Sequence, residues 1–270
     1  MTVSWTLGAP VPLSDEAYYL LNEYLEEHFG LWFPGHRRQI LESRLQERMR
    51  ALHLADFLDY HILLQTAGAT ERPMLARAVT NNETYFFREI AQFDALARVL
   101  PSDRTGRILS AGCSSGEEAY TLRFWLADRG VEAAIEAFDL DEDRVGMAVR
   151  AQYRERSVRD MVPEQIARYL APAGDRYDVR ASFRRGIQFG VGNIVDPTTY
   201  PGTGYDVVFC RNVLIYFSDA SLKRAIRAFL SVLQPGGYLF LGHAESIIGM
   251  FPELETVRLG SCLAYRRRSA

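Results

Sequence analysis

"ILSAGCSSGEEAY", residues 108–120, decides how this chain folds. An apolar run of strand character stops at Gly112, a turn of small residues follows, and Glu117 and Glu118 open a helix. Strand, glycine-containing turn and helix start make the first half of a βαβ unit, whose strand end faces a ligand crevice in open α/β sheets. Alone, such a turn is weak evidence. Downstream, "AIEAFDLD", "GIQFGVGN", "YDVVFCRN" and "GYLFLG" are further short apolar runs ending in Gly, Asp or Asn, most of them separated by helical stretches. That alternation predicts a parallel sheet flanked by helices. In "SDASLKRAIRAFLSVLQPGG", Ser218 caps a helix, Leu222, Ile226, Phe229 and Leu233 share one face, and Pro235-Gly236-Gly237 is expected to turn the chain into the next strand. "ETVRLGSCLAYRRR" reads as an antiparallel edge strand. "YDVRASF" alternates with period 2 and breaks the βα rhythm, so a small β insertion is expected over about residues 171–186.

Upstream the pattern is different. Residues 1–13, with Pro10 and Pro12, read as an extended lead-in. Ser14 offers a helix N-cap, with Asp15 and Glu16 in the first turn, and Gly30 closes the helix. "HRRQILESRLQERMRALHL" and "ADFLDYHILLQ" predict two more helices, and "ERPMLARAVTN", with Pro73 near its start, a fourth. The expected organisation is a helical N-terminal domain over 1–80, an interdomain linker over 81–100, and an α/β domain over 101–270.

The 270 residues, 48% apolar and 24% charged, suffice for a sizeable core and argue against disorder. A net charge of −3, from 31 basic and 34 acidic side chains, gives no global field for nucleic acid. Cys113, Cys210 and Cys262 are widely spaced and follow no metal-ligand pattern, so they read as reduced core thiols of a cytoplasmic protein, with no metal expected. The N-terminus lacks the pattern of a signal peptide, and no stretch approaches the ~20 apolar residues of a membrane span.

The strand ends suggest a ligand. A dinucleotide site wants bare N–H groups at the helix start, whereas Glu117 and Glu118 would repel a pyrophosphate and favour a cationic group. S-adenosylmethionine, with an ammonium, a sulfonium and no phosphate, fits. In "AFDLDED", Asp139 is the first candidate to accept hydrogen bonds from ribose hydroxyls and Asp141 the second. Asn193 and Asn212 end the next two strands. Taken one at a time these are turn residues; taken together they suit an adenosine and an amino acid.

"TNNETYFFRE" before that turn, with "SAGCSSGEEAY", "AFDLDED", "CRNVLIYF" and "LQPGGYLFLGHAES" after it in order, resembles the chemoreceptor glutamate methyltransferases, the CheR family. The resemblance covers roughly residues 14–266. It implies a Rossmann-like S-adenosylmethionine methyltransferase domain with a small all-helical N-terminal domain and a small antiparallel β insertion. It implies methyl transfer to glutamate side chains in the cytoplasmic helical region of chemoreceptors, leaving S-adenosylhomocysteine. By motif position it assigns Asn82, Thr84, Arg88, Gly112, Glu118, Asp139, Asn193, Ile194, Asn212 and Val213 to the cofactor, and sets Arg88 and Tyr216 beside the reacting methyl. Cys113 and Tyr85 depart from it, each standing where smaller residues are usual, and the insertion matches poorly.

A glutamate is already a carboxylate nucleophile at neutral pH, so no general base is required. Phe86 and Phe87 are expected to anchor their segment, leaving Asn82, Thr84 and Arg88 to face the cleft. From the residues alone, Arg88 reads equally as a surface ion-pair partner of Glu89 or Glu83, and Tyr216 equally as a packed strand-end aromatic. His243 reads as structural. Arg37, Arg44 and Arg48 lie within roughly 40° of one another on a helix, beside Leu41, Leu45, Met49 and Leu52. That ridge is either a solvated face or a receptor-binding surface. The expected protein is monomeric and binds neither nucleic acid nor membrane. The alternatives are a regulatory module that binds S-adenosylmethionine or S-adenosylhomocysteine without turnover, and a methyltransferase for a small carboxylic acid.

Overall fold

The computed structural model describes residues 12–101 and 104–269. Most of the expected lead-in lies outside the described residues. The chain divides into two compact units, Met1–Asn81 and Asn82–Ala270.

The first unit is helical. Helix α1 (Asp15–Phe29) starts where the Ser14 side chain accepts the Ala17 N–H, and ends at Gly30, whose φ of 77° suits a residue without Cβ. Helix α2 (Arg38–Ala51) buries Leu41, Leu45 and Met49. Helix α3 (Phe57–Val79) is interrupted at Ala67, which has non-helical φ/ψ, so the third and fourth expected helices follow one another across a kink. Two of the three ridge arginines are engaged inside this unit. Arg48 makes a two-pronged ion pair with Glu71, Nε to Oε1 at 2.8 Å and Nη2 to Oε2 at 2.9 Å. Arg44 donates to the Val79 carbonyl and lies over the Phe33 ring. Arg37 is half-buried in a single 3-10 turn before α2. The basic side chains at 44 and 48 therefore tie α2 to α3 rather than forming a free cationic face.

In the second unit, α4 (Ala91–Ala95) precedes the alternating region: β1 (Gly106–Ala111), α5 (Glu117–Arg129), β2 (Ala133–Asp139) and α6 (Glu142–Arg150). After β3 (Gln152–Tyr153), α7 (Glu155–Val158), α8 (Pro163–Tyr169), β4 (Leu170–Ala173), β5 (Arg176–Val179) and α9 (Ala181–Arg184), the chain returns to β6 (Ile187–Val191). It closes with β7 (Tyr205–Cys210), α10 (Asp219–Val232), β8 (Leu233–Leu241), β9 (Leu254–Leu259) and β10 (Cys262–Arg267). Seven strands form one sheet in the order β6-β2-β1-β7-β8-β10-β9. The first five are parallel neighbours, and β10 pairs antiparallel with both β8 and β9. This is a Rossmann-like α/β architecture with a mixed central sheet.

Side-chain alternation builds two cores. Ile108, Val207 and Phe209 pack on one face with Trp125 of α5, and Leu109 and Val208 on the other with Ile226 and Phe229 of α10. All six residues of β7 are buried, as the centre of a two-sided sheet requires.

Two local expectations change. "YDVRASF" does not run as one strand: β5 ends at Val179, and Ala181–Arg184 turn into α9. The insertion sheet recruits β3 from upstream, in the order β3-β5-β4. Pro235-Gly236-Gly237 lies within β8 at a register irregularity against β7, with Gly236 at φ 79°. Residues 82–100 fall within the second unit. Phe86 packs on Phe124 and Tyr153, at ring separations of 5.8 and 4.8 Å, and Phe87 on Tyr169 at 5.9 Å. The Gln92 amide donates to the Leu241 carbonyl.

Candidate active site at the carboxyl edge of the sheet

The ends of β1, β2, β6 and β7 converge. After β1 the chain turns at Gly112, whose N–H donates to the Phe138 carbonyl of β2. Gly112 has φ 78°, and a Cβ there would stand 2.7 Å from Val213 Cγ2 and 3.6 Å from Ile194 Cδ1. Only glycine gives that combination of left-handed backbone and close approach. One residue thus marks where the loops after β1, β6 and β7 meet.

Asp139 ends β2 and is 6% exposed. Its Oδ2 accepts the Ser114 N–H at 2.7 Å and its Oδ1 the Asp141 N–H at 2.9 Å. Burial pushes its carboxyl up to about 6, against the opposing pull of those two N–H donors. Each carboxylate oxygen can accept more than one hydrogen bond, so capacity for two hydroxyl donors remains. Asp141 has a different occupation. It caps α6 through Oδ1, and its Oδ2 accepts the Asn82 amide at 3.0 Å. Of the two aspartates, Asp139 is the one left with capacity, while Asp141 moors Asn82. The Asn82 carbonyl also accepts the Ser114 hydroxyl.

The two glutamates that open α5 diverge. Glu117 turns inward, 1% exposed, and accepts hydrogen bonds from the Ser115 and Ser157 hydroxyls at 2.8 Å each. Burial raises its pKa. Glu118 stays near the edge, where Oε1 accepts the Ser110 hydroxyl and Oε2 accepts Arg211 Nε, both at 2.6 Å. The expectation of two acidic groups facing a ligand is thus corrected to one, and that one is partly neutralised. With about half its acceptor positions filled, Glu118 retains capacity for an ammonium.

Arg211 was not singled out in the sequence, yet it organises this edge. Its side chain is 3% exposed. Besides Glu118 it donates through Nη1 to the Arg88 carbonyl at 2.9 Å and to Gln92 Oε1 at 3.1 Å, and it lies 3.7 Å from Glu89 Oε2. Its guanidinium sits over Phe93 at 4.9 Å. The available signal was a charge directly after the apolar run "VVFC", which must be paired if buried. Glu245 was missed in the same way. Its carboxylate accepts the N–H groups of Gly242 (2.6 Å), Asn212 (2.9 Å), Val213 (2.9 Å) and Ile215 (3.3 Å), and burial raises its pKa. That nest holds Asn212 at φ 60° and fixes the 3-10 turn Leu214–Tyr216.

The remaining expected residues distribute as follows. Arg88 is half-buried, and its Nη1 donates to the Glu83 carbonyl at 3.0 Å. Thr84 is half-buried in the same stretch, and Tyr216 half-buried on the turn beyond Val213. Asn193 is partly spent on its own loop: its Oδ1 accepts the Val195 N–H and its N–H donates to Thr199 Oγ1. Ile194 is buried, and its carbonyl accepts the Tyr200 hydroxyl. Cys113 faces the core, where burial raises its thiol, so it does not alter the cleft. His243, expected to be structural, is exposed, with Nδ1 3.6 Å from Glu89 Oε1. No group of side chains able to hold a metal ion occurs among the described residues. No helix among them is long and apolar enough to cross a membrane.

A buried strand-end aspartate with spare acceptor capacity, a glycine turn and an edge glutamate fit a nucleoside bearing an ammonium. The comparisons agree with that chemistry. The family described as "CheR methyltransferase, SAM binding domain" matches residues 82–259, and "CheR methyltransferase, all-alpha domain" matches residues 16–80. Chemotaxis protein methyltransferase 2 of Vibrio cholerae is 32% identical over 252 residues, 88% of each chain. The chemotaxis protein methyltransferase of Escherichia coli is 32% identical, across 87% of this chain and 85% of its own. Chemotaxis protein methyltransferase 1 of Pseudomonas aeruginosa is also 32% identical, across 93% of this chain and 97% of its own.

Proposed function

The chain belongs to the CheR methyltransferase family and is an S-adenosylmethionine-dependent enzyme; on that premise we propose that it methylates glutamate side chains in the cytoplasmic helical region of chemoreceptors, as a monomeric cytoplasmic protein. The observation that carries the reading is Arg211, which joins the segment bearing Arg88 to Glu118 at the start of α5 and itself follows the end of β7 beside Asn212.

Bound S-adenosylmethionine supplies a methyl group on a sulfonium, which departs as a neutral thioether. The residues of the chain have three tasks. Asp139 accepts the ribose hydroxyls through the capacity its backbone donors leave open, and Glu118 accepts the ammonium. Gly112, Ile194, Asn212 and Val213 enclose the nucleoside, with Asn82, Thr84 and Asn193 at its margin. Arg88 orients the acceptor carboxylate. A glutamate of ordinary pKa, about 4.3, is already ionised, so no proton has to be removed. Catalysis then rests on holding the carboxylate oxygen in line with the methyl group and on excluding water, because the attack neutralises charge. Arg88 can contribute two parallel N–H donors to that alignment. It is held by a single backbone carbonyl, which leaves most of its donors for the acceptor. The Tyr216 hydroxyl positions the carboxylate from the opposite loop.

The test is transfer of a tritiated methyl group to cytoplasmic receptor fragments from the same genome, after calorimetry with S-adenosylhomocysteine has established binding. Base-labile label on glutamate is expected. Tight S-adenosylhomocysteine binding with no label on any fragment would exclude the reading.

A further inference from the structure

Arg88 has a cationic neighbour. The Phe86 N–H donates to the Ser157 carbonyl at 2.9 Å, which pins the Arg88 segment to α7. As a result two guanidinium groups share one ring: Cζ of Arg159 lies 3.9 Å from the Tyr85 centroid, and Cζ of Arg88 lies 5.6 Å from it. The two cations are therefore at most 9.5 Å apart, the sum of those distances. Glu83 serves both. Its Oε1 accepts Arg159 Nη1 at 2.9 Å, and its carbonyl accepts Arg88 at 3.0 Å. The Arg159 and Glu83 side chains are 45% and 49% exposed. An exposed pair of this kind is weak and is readily exchanged for another carboxylate. Tyr85, the residue larger than the family resemblance leads one to expect, is the platform that holds Arg159 in place.

On a helix, side chains one turn apart have Cβ atoms about 5–6 Å apart. Long acidic side chains at that spacing span the separation of these two guanidiniums. Resting on the glutamate-methylation reading above, the geometry points to Arg159 as a specificity-determining residue: it takes an acidic side chain one helical turn from the glutamate that Arg88 orients. Glu83 is the internal carboxylate that holds the seat until the substrate displaces it. The pair of cations thus selects acceptor sites by their neighbours as well as by the acceptor itself.

The test uses the full chain and a receptor fragment whose methylated glutamate has been mapped by mass spectrometry. The fragment is compared with a variant in which every acidic residue one turn from that glutamate is changed to the amide. Wild-type kcat/KM is expected to fall about two- to fivefold on the amide variant, the upper half of the range for one exposed charge pair. Arg159→Gln is expected to reduce the rate on the native fragment by a similar factor and to leave the amide variant unchanged. Glu83→Gln is expected to raise the rate on the native fragment, since the internal competitor is gone. A preference that survives in Arg159→Gln, or an equal loss on both fragments, overturns the assignment while leaving glutamate methylation standing. So does a methylated glutamate with no acidic residue one turn away. A wild-type chain that labels no fragment overturns the underlying reading, and this inference with it.

Discussion

Replacing Arg211 with Met removes a cation whose side chain is 3% exposed and which faces Glu118 and Glu89, each 13% exposed. Methionine has about the right length, so packing against Phe93 and Phe209 is largely kept while the charge is lost. Stranding a buried carboxylate by deleting its partner costs about 3–5 kcal/mol. For a unit of this size, each kcal/mol is worth about 3 °C in Tm, so a fall of roughly 10 °C is expected. The double variant Arg211→Met/Glu118→Gln removes the stranded charge as well and should recover about 1–2 kcal/mol of that loss. Urea unfolding of wild type, both single variants and the double variant gives the coupling directly. Turnover serves as a second readout, because Arg211 also holds the Arg88 carbonyl: Arg211→Met should lower kcat even below its melting range, and Glu118→Gln should not restore it. Strict additivity of the two substitutions, or a cost below about 1 kcal/mol for Arg211→Met, would refute the claim that this arginine is a charge-compensated hub.

Asp139, raised by burial to about 6 against an ordinary 3.8, keeps its proton in the folded state through that interval. Ligand-free stability should therefore decline as pH rises from about 4 to about 6. S-adenosylhomocysteine affinity should run the other way and weaken below pH 6, because the proposed ribose contact needs the carboxylate; calorimetry on wild type and Asp139→Asn checks this, and a pH slope retained in the variant would assign it elsewhere. Gly112→Ala forces a left-handed alanine, costing about 1–2 kcal/mol, and displaces Val213, which lies 2.7 Å from the new Cβ. Thermal melts should register that cost together with at least tenfold weaker S-adenosylhomocysteine binding; unchanged affinity would place the nucleoside away from this turn. Arg48→Ala should destabilise the helical unit by about 3 kcal/mol, the lower end for a buried pair since 20% of the arginine side chain is exposed. Hydrogen exchange in α2 and α3 measures it, and unaltered protection would return Arg48 to the surface.

The parallel sheet was legible because each strand is an apolar run that stops at a small or polar residue, and the same endings located the edge where Gly112, Asp139 and Asn212 meet. What a periodic pattern cannot carry is the identity of a distant partner. The α2 arginines fall on one stripe in projection, but Glu71, on another helix, decides where Arg48 points. Glu117 and Glu118 are adjacent in sequence, and the Ser157 hydroxyl, supplied by α7, draws one of them inward. "YDVRASF" has strand alternation over seven residues, yet only the part that pairs with β3 and β4 remains extended. Phe86 and Phe87 were recognisable as anchors, whereas the aromatic cluster that receives them, Tyr120, Phe124, Tyr153 and Tyr169, is dispersed over fifty residues of sequence. Arg211 and Glu245 carry the clearest lesson: a charge placed flush against an apolar strand end or within a tight glycine loop is a request for a partner, and here the partners are side chains distant in sequence for Arg211 and backbone N–H groups for Glu245, which no local motif announces.

The central claim, that Arg88 acts on the acceptor carboxylate at a donor site built by the strand ends, is tested most directly by single-turnover transfer in wild type and Arg88→Ala, with S-adenosylhomocysteine affinity measured on the same preparations. The account predicts a loss of at least a hundredfold in the transfer rate, a range typical of removing a positioning group, with affinity changed by less than about threefold. Parallel losses in rate and affinity would contradict it and make Arg88 part of the nucleoside site alone.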